Sequence, residues 1–351
     1  MHKSRRQTNF ELLRIVAMFM VMVLHFLVRT DLLPEAGDGL GSSAVGAVIA
    51  ESFCIVAVNV YVLISGYFLS AAEFSWKRIG MILAQVLFYA LLIPVVLAVL
   101  GGIPVSQLTD VYHLWNCLFP VQSGHYWFVS AYVVMCLFSP LINAAVWQLE
   151  PKRFAQILAG LLLLFSVGKT LSPLRFATDR FGYDFGWLLC VYLIGAWIRR
   201  FGFRYLNTRV KAGFLYLCCT AVTAGSELVL LYLAQKTTAL NHYAAVPFHY
   251  NFVPCIAGAV GLFAFFSHLQ IPEGAADRVI RFFAPAVFGV YLIHEHVDVS
   301  ANWCEWVTEL TGLRGPLILL PAFVFCLLMD KLRGVLFAAA ADLFRKRGGS
   351  R

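Results

Sequence analysis

Residues 10–28 read Phe10-Glu11-Leu12-Leu13-Arg14-Ile15-Val16-Ala17-Met18-Phe19-Met20-Val21-Met22-Val23-Leu24-His25-Phe26-Leu27-Val28. As a helix this stretch is about 28 Å long, close to the thickness of a bilayer's hydrocarbon core. Only Glu11, Arg14 and His25 in it ionise. The whole chain follows the same pattern: of its 351 residues, 60% are hydrophobic and 13% charged, with a mean hydropathy of +0.77. Soluble domains carry roughly 45–50% apolar and about 25% charged residues. A chain this apolar cannot cover itself with a wetted surface. Disorder, collagen and small disulfide scaffolds are excluded by the same figures. The expectation is an all-α integral membrane protein built as one polytopic domain over residues 1–351.

About ten transmembrane helices follow from the apolar runs, near residues 10–28, 45–69, 79–100, 126–147, 154–168, 185–198, 212–234, 252–266, 282–294 and 313–329. The fifth, sixth, eighth and ninth are short for a crossing. Charge tests the count, because cytoplasmic loops retain Lys and Arg. With the N-terminus and C-terminus both cytoplasmic, twenty of the 27 basic residues fall inside and six outside, with Arg14 within the first crossing. Removing one crossing spoils this asymmetry, whereas removing two adjacent ones keeps it, so eight crossings are the alternative. The net charge of +8 therefore reports topology, and no nucleic-acid partner is expected. The basic start at residues 1–6 is not followed by a cleavage site of the A-x-A kind, so it reads as part of the first crossing's flank. The nine cysteines include no CxxC pair, which argues against a structural zinc site, and no metal is expected.

Ionisable residues inside a bilayer are costly and face a cavity or a partner. Arg14 and His25 are eleven residues apart, which at 100° each is three turns plus about 20°. They share one helix face, about 16 Å apart along the axis, with Arg14 near the inside and His25 near the outside. Such a face suits a channel reaching from the cytoplasm toward the outer surface. The plainer alternative is that Arg14 snorkels to lipid phosphates and His25 bonds a neighbouring carbonyl. Glu51 is at about the depth of His25 and is placed to orient its imidazole, as a carboxylate does in a dyad; an exposed interfacial acid is the alternative. The run Tyr291-Leu292-Ile293-His294-Glu295-His296 puts three titratable groups at the outer depth, either as part of a site or as a helix end in water. Asn59, Ser65 and Tyr67 lie on the second crossing, where Ser65-Gly66 permits close helix packing and Tyr67 suits the interface. Lys77 and Arg78 follow, placed for lipid head groups or for a cofactor's phosphates. Trp127 opens the fourth crossing and also reads as an interfacial anchor.

In order along the chain, these stretches resemble the acyltransferase-3 family of integral membrane acyltransferases. Arg14 and His25 with ten residues between them, preceded by Phe10-Glu11-Leu12-Leu13, are similar to the family's first-helix hallmark. Ile64-Ser65-Gly66-Tyr67-Phe68-Leu69, Trp76-Lys77-Arg78, Tyr126-Trp127-Phe128, Ser139-Pro140-Leu141-Ile142-Asn143 and Tyr291-Leu292-Ile293-His294 resemble its later motifs. The resemblance implies transfer of an acyl group, usually acetyl, from cytoplasmic acyl-CoA to a hydroxyl on a cell-surface or lipid-linked glycan or a small acceptor, in a bacterial cell membrane. It implies a catalytic His25 and an Arg14 that binds or positions the donor. No fused SGNH-type hydrolase domain is expected.

The expected site therefore has His25 as base, with Arg14 and Glu51 beside it. Arg14, Lys77, Arg78, Ser65 and Tyr67 are expected along acetyl-CoA. Asn59, Ser65, Trp127, Tyr291, His294 and Glu295 are the candidates to meet the acceptor or stabilise the oxyanion. Membrane lipid is the surrounding partner, and the oligomeric state is unreadable. Two other classes stay open at this point: a transporter or flippase of an envelope precursor, and a non-catalytic envelope-assembly subunit. The last would have no pocket lined by Arg14 and His25.

Overall fold

The structure, a computed structural model, describes residues 7–172 and 180–348. Residues 1–6, Arg175 and Arg351, on which part of the charge count rests, lie outside the described residues. The described chain is helical, without strands. Its helices are α1 (Thr8–Arg29), α2 (Ser42–Cys54), α3 (Ala57–Leu69), α4 (Trp76–Leu100), α5 (Val111–Leu118), α6 (Trp127–Gln148), α7 (Pro151–Leu162), α8 (Gly168–Leu171), α9 (Phe185–Phe201), α10 (Arg209–Ala234), α11 (Val253–Ser267), α12 (Ala275–Phe283), α13 (Val287–His294), α14 (Trp303–Thr311) and α15 (Leu319–Gly348).

Among the described residues, eight helical stretches are long and apolar enough to cross a membrane. They cover eight of the ten expected crossings. The other two expected stretches are occupied by α9, at 17 residues, and by α12 and α13, joined by a 3-10 turn at Ala284–Ala286. The second expected crossing is two helices, because the chain breaks between α2 and α3 at Ile55 and Val56. The segment between α4 and α6, expected to be an outer loop, carries α5.

Local chemistry explains the boundaries. Ser75 accepts a hydrogen bond from the Arg78 amide and so caps α4, and Thr208 does the same for α10 through Lys211, satisfying a backbone donor that a helix start leaves unpaired. Gly101 closes α4 at φ +78°, a conformation that costs a residue with a Cβ.

The first helix occupies the centre. It packs on α2, α3, α11, α12, α13 and α15. Its N-terminal end is tied down by Thr8, whose hydroxyl donates to Asp277, and by Asn9, whose amide donates to the Phe266 carbonyl at 2.9 Å. Tyr61 on α3 donates to the Arg14 carbonyl at 2.6 Å. On the far side of α3, Gly66 and Gly195 let α3 and α9 pack backbone to backbone. A Cβ at Gly66 would overlap the Tyr192 backbone, and one at Gly195 the Leu63 carbonyl. This is the close approach that Ser65-Gly66 implied.

Candidate active site

Helix packing brings the end of α13 against the C-terminal half of α1. His25 Nδ1 lies 2.8 Å from His294 Nε2, and His294 Nδ1 lies 2.6 Å from the Val290 carbonyl. The two contacts together assign the tautomers. A carbonyl only accepts, so His294 carries its proton on Nδ1 and presents a lone pair at Nε2. His25 must then donate from Nδ1, which leaves the lone pair of His25 on Nε2. Glu295 follows at once: its Oε1 is 3.2 Å from His25 Nδ1 and 3.8 Å from an Arg29 Nη. Burial pushes the Glu295 carboxyl up to about 7, with Arg29 pulling the other way.

At the other end of the same helix face, Arg14 pairs with Glu11, three residues before it. Its guanidinium stands 5.7 Å from the centre of the Phe68 ring. Arg14 and His25 line one cavity of about 870 Å³, which also reaches Ser65, Arg78, Trp127 and Tyr291. The shared face read from the spacing is thus the wall of a continuous cavity. A non-catalytic scaffold subunit has no use for one.

Several expected site residues stand elsewhere. Glu51 does not line this cavity and makes no hydrogen bond or ion pair to His25 among the described residues. The acid at His25 is Glu295 instead. Depth along the axis put Glu51 beside His25, but α2 packs on α10, where Glu227 is close enough to act on it electrostatically. Asn59 has its whole amide engaged: Nδ2 donates to the Tyr250 carbonyl at 2.7 Å and to Cys255 Sγ at 3.4 Å, and Oδ1 accepts from Trp187 Nε1 at 2.9 Å. It ties α3 to its neighbours and has no donor left over to aim at an oxyanion. His294 is likewise engaged at both nitrogens. Lys77 is exposed outside the cavity. Tyr67 is outside it too, stacked on Phe10 and lying under the Arg199 guanidinium. Trp127 lines the cavity and packs its ring on Tyr183 and Tyr250, with centroids 4.8 and 6.1 Å away.

Sequence reading missed Arg29, which backs Glu295, and Arg333, which lines the cavity. Arg29 was legible as a basic residue one turn beyond His25. Arg333 had no signal beyond its place in the basic end of the chain.

His25, His294 and Glu295 each offer a ligand atom within 4.8 Å of the others. The two ring nitrogens at 2.8 Å are closer than the roughly 3.3 Å that two zinc-bound imidazoles keep across a tetrahedral ion. As arranged, the two rings stand at hydrogen-bond distance, and an ion between them would need them to separate by about half an ångström.

A family model described as an acyltransferase domain matches residues 7–330, nearly the whole chain and both ends of the cavity. No curated protein matches. No solved structure matches. With a match over nearly its whole length and eight helical stretches able to cross a membrane, the chain belongs to the acyltransferase-3 family and is a multi-pass membrane acyltransferase.

Proposed function

We propose that this acyltransferase moves an acetyl group from cytoplasmic acetyl-CoA to a hydroxyl of a cell-surface or lipid-linked glycan, in a bacterial cell membrane with both chain termini cytoplasmic. The observation that carries the reading is the single cavity lined by both Arg14 and His25. Its two ends suit a donor that enters from one face and an acceptor that arrives from the other.

The thioester carbonyl stops near His25, with the thin pantetheine arm running past Arg14. His25 Nε2, the nitrogen with the lone pair, takes the proton from the acceptor hydroxyl. The oxygen attacks the thioester carbonyl carbon, and the carbonyl oxygen takes up negative charge. Collapse breaks the C–S bond, and His25 returns the proton to the departing thiolate. The products are an ester and the free coenzyme thiol, with no net change in protons at the enzyme. While His25 is charged, Glu295 at 3.2 Å stabilises the imidazolium, the part a buried carboxylate plays in hydrolytic triads. His294 keeps the ring in the tautomer that leaves Nε2 free. The planar edge of Trp127 and the ring of Tyr291 form the acceptor end of the cavity wall.

The test is turnover. Purified protein in lipid nanodiscs is given acetyl-CoA, and release of the free thiol is followed with and without a glycan acceptor. Thiol release that depends on His25 and rises with acceptor supports the reading. No release from acetyl-CoA under any acceptor overturns it.

A further inference from the structure

Among the described residues, three arginines line the cavity: Arg14, Arg78 and Arg333. Arg333 belongs to α15 and lies three residues past the end of the family match. It is held by the same device as Arg14, a carboxylate three residues earlier on its own helix. Arg333 Nε donates to Asp330 Oδ1 at 2.7 Å and Nη2 donates to Oδ2 at 3.1 Å.

Asp330 is itself built in. It is 2% exposed and accepts also from Gln85 Nε2 at 2.8 Å and from the Tyr89 hydroxyl at 2.9 Å, both on α4. A Cβ on Gly289 of α13 would overlap its side chain, so the packing of three helices is shaped around it. An acid within a membrane helix is expensive, and a buried ion pair is often no more stable than apolar residues of the same size. The pair is therefore a poor way to glue helices. It is an effective way to fix a guanidinium in a wall.

The fork of Arg333 has five N–H donors. Two are engaged by Asp330, which leaves donors for a ligand in the cavity. Glu11 and Asp330 balance Arg14 and Arg333, whereas Arg78 has no carboxylate partner among the described residues. The wall thus keeps an uncompensated positive charge next to a preorientated fork. Gln7 and Gln85 line the same end, at the start of α1 and in the first half of α4, the end opposite His25. Planar bidentate recognition by Arg is the standard fit to a phosphate.

We propose that Arg333, positioned by Asp330, binds together with Arg78 the phosphate groups at the nucleotide end of the thioester donor. This rests on the reading that the donor lies in the cavity with its thioester at His25. The site then selects phosphorylated donors over bare pantetheine thioesters, because only the former reach from His25 to Arg333 with an anion at the far end.

The experiment compares acetyl-CoA, acetyl-4′-phosphopantetheine and acetylpantetheine on full-length protein in nanodiscs of neutral or anionic lipid. Binding of coenzyme A is followed by calorimetry alongside. In R333Q the KM for acetyl-CoA rises about 10- to 100-fold, the weight of charge-assisted hydrogen bonds to a phosphate, with little change in kcat. On acetylpantetheine the same variant loses less than about threefold, below the weight of one such bond. R333K recovers part of the KM, as a point charge in place of a fork. If R333Q misfolds because Asp330 is left buried and unpaired, D330N/R333Q removes both charges and gives the same readout. An equal loss on all three donors assigns Arg333 a structural role and overturns the proposal. So does a loss that follows anionic lipid and not the donor's phosphates, which assigns it to a lipid head group. If wild-type protein neither binds coenzyme A nor consumes any of the three thioesters, the donor reading falls as well. If it consumes all three equally well, only the Arg333 proposal falls.

Discussion

His294 Nε2 lies 2.8 Å from His25 Nδ1, although 269 residues of chain separate the two rings. The ring that accepts is itself fixed by the Val290 carbonyl, 2.6 Å from its Nδ1. A backbone carbonyl on α13 thereby decides which nitrogen of a residue on α1 is basic.

Removing either ring should stop the chemistry in different ways. His25→Ala is expected to cut turnover by about 10²–10⁴-fold, the usual worth of a general base, while coenzyme A binding by calorimetry is retained. His294→Leu is expected to lose roughly 10²-fold or more by releasing the tautomer, with His25 still present. Wild-type turnover in His25→Ala would remove His25 from the mechanism.

Acid should inhibit through Glu295. Its folded carboxyl is raised to about 7 by burial, so the charged form that supports the imidazolium dominates above that pH and is lost below it. Turnover is expected to fall as pH drops through about 7. In Glu295→Gln the plateau is lower and the acid limb moves to lower pH, since the carboxylate no longer favours the protonated ring. An acid limb left in place by this variant would show that Glu295 has no electrostatic part at His25.

Glu51 gives the complementary case. It is buried but makes no hydrogen bond or ion pair to His25, and Glu51→Gln keeps its shape. The expected kcat is within about threefold of wild type, less than the worth of a single charged hydrogen bond. A hundredfold loss in steady-state assays would restore the orienting role that its depth suggests.

Arg14 is expected to act on the donor. Arg14→Gln should weaken coenzyme A binding by about 10- to 100-fold, the range of one or two charge-assisted hydrogen bonds. Arg14→Lys should recover only part of it. Unchanged affinity in calorimetry, together with unchanged turnover, would leave Arg14 as a partner of Glu11 and no more.

The contact between α3 and α9 is expected to be unforgiving. Gly195→Leu sets a side chain against the Leu63 carbonyl and the Tyr67 amide, and overpacking of this kind costs about 1–3 kcal/mol or more. The melting temperature in detergent should fall. Gly225→Ala on α10 is the control, because a Cβ there meets nothing, and Ala is the better helix former by about 1 kcal/mol. Equal melting temperatures for the two variants would contradict the packing.

Much of this architecture was legible from helical arithmetic. Eleven residues at 100° put Arg14 and His25 on one face, and they line one wall. Ser65-Gly66 announced a close helix contact, and Gly195 supplies its other half. What arithmetic cannot reach is the lateral arrangement of helices. Glu51 and His25 share a depth, yet depth along a bundle axis says nothing about which helices are neighbours, and the acid that meets His25 comes from α13. Asn59 carried the right chemistry for an oxyanion donor, and only its hydrogen bonds to residues 128 and 191 positions away reveal that both ends are engaged. The break at Ile55 and Val56 lies in an unbroken apolar run and left no mark of Gly or Pro.

The ring-to-ring bond between α1 and α13 also sets an order of events in biosynthesis. A ribosome delivers His25 to the membrane early and His294 near the end. Until α13 has inserted, the imidazole on α1 lacks both the acceptor that fixes its proton and the acid beside it. A chain that stops before α13 is therefore expected to hold Arg14 and His25 in the bilayer without hydrolysing thioesters. If His25 is the base, catalytic competence is expected only once the final helices are in place.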